Sequence, residues 1–70
     1  MKGSEFLRRL QRIARRRQLP FQFEAALGKG SHGRVWLADR STTMKDLKNE
    51  LGPGLLRALC RDLGIDPKEL

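Results

Sequence analysis

Three glycines fall within the six residues Gly28-Lys29-Gly30-Ser31-His32-Gly33, and no other stretch restricts the possible folds as tightly. Such a cluster lets the backbone reverse sharply and reach positive φ without a Cβ clash. Its flanks fit a reversal. Phe21-Gln22-Phe23-Glu24-Ala25 alternates apolar and polar residues with period two, and Arg34-Val35-Trp36-Leu37-Ala38 is a second strand-like run. Asp39-Arg40 predicts a tighter turn, and Ser41-Thr42-Thr43-Met44 is β-branched enough for a third strand. Three short strands joined by close turns predict an antiparallel meander.

Helical periodicity brackets these strands. Phe6, Leu7, Leu10, Ile13 and Ala14 recur at three- and four-residue spacing, which predicts a helix over about residues 4–17 with one apolar stripe. Ser4 is a good N-cap, Glu5 suits the first turn, and Arg15-Arg16-Arg17 complement the dipole at the other end before Leu19-Pro20 stops the helix. The opposite face holds Arg8, Arg9, Arg12, Arg15 and Arg16, a solvated face that can also supply phosphate contacts. Lys45 to Leu51 reads as a loop or one helical turn. Gly52-Pro53-Gly54 then opens a second helix with Leu55, Leu56, Leu59, Cys60 and Leu63 on its apolar face and Gly64 as C-cap. Asp66-Pro67 starts a short terminal turn. The expected fold is α+β: a three-stranded antiparallel sheet in α-β-β-β-α order, covered on one face by two helices, as a single domain over residues 1–70.

Seventy residues lie near the lower limit for a self-sufficient core, and one cysteine allows no disulfide staple. Cys60 sits within the apolar stripe and reads as a small core residue. Fifteen Lys and Arg against eight acids give a net charge of +7, which suits a polyanionic partner. No apolar run is long enough to span a bilayer, and the start lacks a signal-peptide pattern, so a cytoplasmic location is expected. The acids Asp39, Asp46, Glu50, Asp62, Asp66 and Glu69 are scattered without a metal-ligand spacing, and Gly28-Lys29-Gly30 matches neither a P-loop nor a dinucleotide fingerprint. No metal, membrane or small-molecule cofactor is therefore expected.

The glycine turn gathers an ammonium (Lys29), a hydroxyl (Ser31), an imidazole (His32) and, just beyond, a guanidinium (Arg34). A bare turn does not need this set of groups, whereas a turn that handles a phosphodiester does. In a strand beginning near His32, residues 32, 34 and 36 point one way and Val35 and Leu37 the other. If Val35 and Leu37 face the helices, His32, Arg34 and Trp36 share the open face, and Trp36 can stack on a base or anchor a partner. The reverse orientation buries Trp36 in the core.

Taken together, Met1-Lys2-Gly3-Ser4-Glu5-Phe6-Leu7, Gly28-Lys29-Gly30-Ser31-His32-Gly33, Leu51-Gly52-Pro53-Gly54-Leu55-Leu56 and Leu63-Gly64-Ile65-Asp66 resemble the HicA family. These are toxins of bacterial HicA–HicB toxin–antitoxin modules, small mRNA interferases with a double-stranded-RNA-binding-like fold. The resemblance covers nearly the whole chain, and its most specific element is Gly30-Ser31-His32. It departs from the family at Gly33, where many members carry a bulkier residue. The resemblance implies cleavage of mRNA with His32 as the catalytic residue, and a cognate HicB antitoxin that masks the site.

That chemistry suits the residues. RNA carries its own nucleophile in the 2′-hydroxyl, so an enzyme needs only to move protons and stabilise charge on phosphorus. Histidine, ordinarily titrating near pH 6.5, is suited to proton transfer, typically worth ~10²–10⁴-fold in rate. Lys29, Arg34 and the backbone N–H groups around Gly30 can stabilise the charge, and Ser31 can orient the phosphate. His32 is the only histidine, so no second imidazole is available as its proton-transfer partner. The competing expectations are a non-catalytic RNA-binding module of the same fold and a structural component of a ribonucleoprotein.

Overall fold

The first helix, α1, spans Gly3–Arg17 and lays Phe6, Leu10, Ile13 and Ala14 into the core. Its start differs from expectation: Lys2, not Ser4, is the N-cap residue, and no side chain caps the end. The N–H groups that a cap would satisfy donate instead to carbonyls of a distant loop, Gly3 to Asn49 at 3.3 Å and Ser4 to Leu47 at 3.0 Å. Segment 45–51, which contains those carbonyls, forms bends and a bridge between Lys2 and Glu50, and no helix among its described residues. At the far end Gln18 takes the left-handed conformation (φ 57°), and the N–H of Leu19 returns to the Ala14 carbonyl at 2.8 Å. This computed structural model describes residues 1–26, 32–45 and 47–70.

The three strands β1 (Phe21–Ala25), β2 (Gly33–Leu37) and β3 (Arg40–Met44) form one antiparallel sheet in the order β1-β2-β3. The predicted meander is therefore present, with its second turn one residue early. Leu37 pairs with Arg40, so Ala38 and Asp39 form the turn and Arg40 belongs to β3. Ala38 takes positive φ (55°) there, an unusual conformation for a residue with a Cβ. Pairing of Phe23 with Val35 and Ala25 with Gly33 sets the β1–β2 register.

That register explains Gly33. A Cβ built on it would lie 2.4 Å from Cζ of Phe23 and 2.9 Å from the Glu24 carbonyl oxygen. The Phe23 ring crosses diagonally over this position on the helix-facing side, and only glycine leaves room for it.

The second helix, α2, spans Pro53–Leu63, with Pro53 in the first turn and Gly64 closing it at φ 72°. A 3₁₀ turn follows at Pro67–Glu69, capped by Asp66, whose carboxylate accepts from the Lys68 N–H at 3.0 Å. The order is α-β-β-β-α, an α+β fold as expected. Val35 and Leu37 of β2 and Met44 of β3 face the helices and meet Phe6, Leu10, Ile13, Leu59, Cys60, Leu63 and Ile65 in one core. Fully burying each such aliphatic or aromatic side chain contributes about 1.5–3 kcal/mol. Thr42, also buried on that side, donates to Asp62 of α2 at 2.9 Å and ties the sheet edge to the helix. Leu55 departs from the predicted apolar face of α2, being 47% exposed. Cys60 is fully buried, and burial pushes its thiol above the ordinary range, with the Asp66 and Glu69 carboxylates adding to the effect. It is a core residue, as expected.

Candidate functional site

Along β2 the burial alternates strictly. Gly33, Val35 and Leu37 are buried against the helices, while Arg34 is exposed and Trp36 half-buried on the other face. Both helices lie against the first face, and neither covers the second. His32 immediately precedes β2 and is exposed. Its carbonyl accepts from the Ala26 N–H at 3.0 Å, which extends the β1–β2 ladder by one rung and keeps His32 in phase with Arg34 and Trp36. The core is filled by aliphatic side chains and Phe6, so Trp36 stands outside it.

His32, Arg34 and Trp36 line one shallow groove of about 350 Å³ together with Glu24, Ala25, Ala26, Gly33 and Thr43. The arginine is held in place. Its guanidinium donates to the Thr43 hydroxyl at 3.2 Å and the Ser41 hydroxyl at 2.9 Å, and lies 5.9 Å from the centre of the Trp36 ring. A cation at that distance over indole gains about 0.5–1 kcal/mol at an exposed site. Both of these partners are neutral hydroxyls, and a guanidinium has five N–H donors to share. The site thus offers a fixed cation, an imidazole and an indole on one rim. These are groups that can grip a phosphodiester, move a proton and stack on a base.

Lys29, Gly30 and Ser31, the remaining residues predicted for phosphate contact, lie outside the described residues. Among the described residues no group of three or more His, Cys, Asp or Glu side chains could hold a metal ion. No described helix is long and apolar enough to cross a membrane.

Sequence reasoning missed Glu24. It registered only as a polar position in the alternation of the first strand, yet the register sets it directly opposite Arg34 in the groove. The signal was available in parity: Gln22 and Glu24 are the polar positions of β1, as Arg34 and Trp36 are the outward positions of β2.

The arginines of α1 lie elsewhere. Arg9, Arg12 and Arg16 line a cleft of about 360 Å³ with Glu5, Ile13, Glu69 and Leu70, between α1 and the terminal 3₁₀ turn. Arg9 donates to Glu5 and to the Leu70 carbonyl, each at 3.1 Å, and Arg17 pairs with Glu69. The hydrogen bond from Arg9, with the charges of Arg8 and Arg9 close by, holds the Glu5 carboxyl below its ordinary range. Since α1 packs on the covered side of the sheet, this cleft and the His32 groove occupy different faces of the molecule.

No family model, curated protein or solved structure matches this chain.

Proposed function

We propose that this chain is a HicA-like toxin: a metal-independent endoribonuclease that cuts mRNA, with His32 as general acid or base, and is held in check by a HicB-type antitoxin. The observation that carries the reading is the groove in which His32, Arg34 and Trp36 meet on the face that the helices leave uncovered. Phosphate binding alone calls for the arginine and not for an imidazole beside it. Lys29, Gly30 and Ser31 precede His32 directly in the chain and supply further donors to the phosphate in this reading. The α-β-β-β-α order, similar to that of double-stranded-RNA-binding domains, supports an RNA substrate.

The decisive experiment is cleavage of RNA in the presence of EDTA, comparing the chain with His32→Ala. The imidazole is exposed, so its loss costs little packing. Loss of the proton-transfer step should lower the rate by ~10²–10⁴-fold with the fold unchanged. Equal cleavage by the folded variant would end the catalytic assignment and favour a binding module. Inhibition follows from the same geometry. An antitoxin seated on the open face covers His32, so labelled RNA and antitoxin should compete for the His32→Ala chain. A stable ternary complex would contradict masking.

A further inference from the structure

Among the described residues, Glu24 is the one acidic side chain that lines the groove with His32. It stands directly across from Arg34 in the β1–β2 register, and that pairing would ordinarily produce an ion pair. Here it does not. The guanidinium turns the other way, toward Ser41 and Thr43 of β3, and among the described residues the Glu24 carboxylate makes no hydrogen bond or ion pair. Glu24 is exposed on the edge strand of the sheet. His32 sits two positions before Arg34 on the same face, which makes it the diagonal neighbour of Glu24. Diagonal neighbours on one face of an antiparallel pair are roughly 7–8 Å apart at Cα.

Resting on the reading of the groove as a ribonuclease site, we propose that Glu24 is a second catalytic residue, the base that takes the 2′-hydroxyl proton while His32 protonates the leaving 5′-oxygen. In-line displacement at phosphorus places the attacking and leaving oxygens on opposite sides, so the base and the acid must stand apart, each within about 2.6–3.2 Å of its own oxygen. A phosphate seated between this diagonal pair meets that requirement, with Glu24 on one flank, His32 on the other and Arg34 alongside. The O–H bond of the 2′-hydroxyl breaks and its proton passes to a Glu24 oxygen. The 2′-oxygen bonds to phosphorus as the bond to the 5′-oxygen breaks, and that oxygen keeps the electron pair and takes a proton from the His32 imidazolium. The products are a 2′,3′-cyclic phosphate and a 5′-hydroxyl. One proton has moved from His32 to Glu24, and exchange with water restores both. The Arg34 guanidinium meets the charge that builds on the non-bridging oxygens.

The test uses the full chain with EDTA and a mixed-sequence RNA on which the cut site is first mapped. Glu24→Gln should lower the rate by ~10²–10⁴-fold while circular dichroism stays unchanged, and Glu24→Asp should recover part of the loss. A second RNA carries sulfur in place of the 5′-bridging oxygen at the cut site, because a thiolate leaves without an acid. On it His32→Ala should regain most of its rate and Glu24→Gln should not. Cleavage that needs His32 and is untouched by Glu24→Gln overturns the role of Glu24 and leaves the ribonuclease reading standing. Any other pattern of sulfur rescue overturns the division of roles. Absence of cleavage by the unaltered chain overturns both.

Discussion

Two regions of this molecule present arginine, a cluster in one and a single residue in the other, and they use it in opposite ways. On the α1 side the cations meet carboxylates and a carbonyl: Arg9 holds Glu5 and Leu70 in the cleft, while Arg8 holds Glu5 and Arg17 holds Glu69. One oxygen of Glu69 is buried there with no hydrogen-bond partner among the described residues, while the other pairs with Arg17. In the groove on the open face, Arg34 is fixed by two hydroxyls and a ring, none of which cancels its charge. A count of arginines puts the weight on α1, where six of the ten lie. Charge on α1 is partly neutralised and anchors the C-terminal turn, whereas the single guanidinium of the groove is kept available beside an imidazole and a carboxylate.

The largest effect that separates the two regions should be catalytic. His32→Ala should reduce RNA cleavage by ~10²–10⁴-fold, while Arg12→Ala, in the cleft, should leave the rate nearly unchanged. Comparable losses in both would mean that the substrate spans the two faces.

Next in size is Gly33→Ala. The added methyl would meet the Phe23 ring and the Glu24 carbonyl at less than contact distance. Overpacking of this kind costs typically about 1–3 kcal/mol, read as a lower denaturant midpoint at constant slope. Wild-type stability in this variant would show that Phe23 can leave Gly33 freely, and that the register holding Glu24 and His32 is looser than drawn.

Smaller still is the electrostatic contribution to binding. Arg34→Ala should lower the dependence of log affinity on log salt by about one unit of slope, because one fewer phosphate is neutralised. Arg12→Ala should leave that slope in place. A slope that moves for Arg12 and not for Arg34 would assign the phosphate contacts to the helix side.

Much of this arrangement was legible in the residues. The helical stripe from Phe6 to Ala14 and the alternation from Phe21 to Ala25 are local patterns, and both elements formed where the patterns lie. The shared parity of His32, Arg34 and Trp36 was also readable, and the aliphatic core settled which face it occupies. What escaped was non-local. Ser4 resembles a cap, but the loop carbonyls of Leu47 and Asn49 reach the end of α1 first and shift the cap to Lys2. Ala38 in a left-handed turn contradicts turn preferences, and the pairing of Leu37 with Arg40 imposes it. Glu24 could be placed beside His32 only once the hairpin register was known, and register is a property of two strands together.

Placement of the substrate phosphodiester in the open-face groove can be checked by adding a 2′-deoxy oligonucleotide, which can bind but not be cut, to isotopically labelled protein and following the NMR resonances. The groove account predicts that the largest shifts fall at Glu24, His32, Arg34, Trp36 and Thr43. Shifts concentrated at Arg9, Arg12 and Arg16, with the resonances of His32 and Trp36 unmoved, would contradict it.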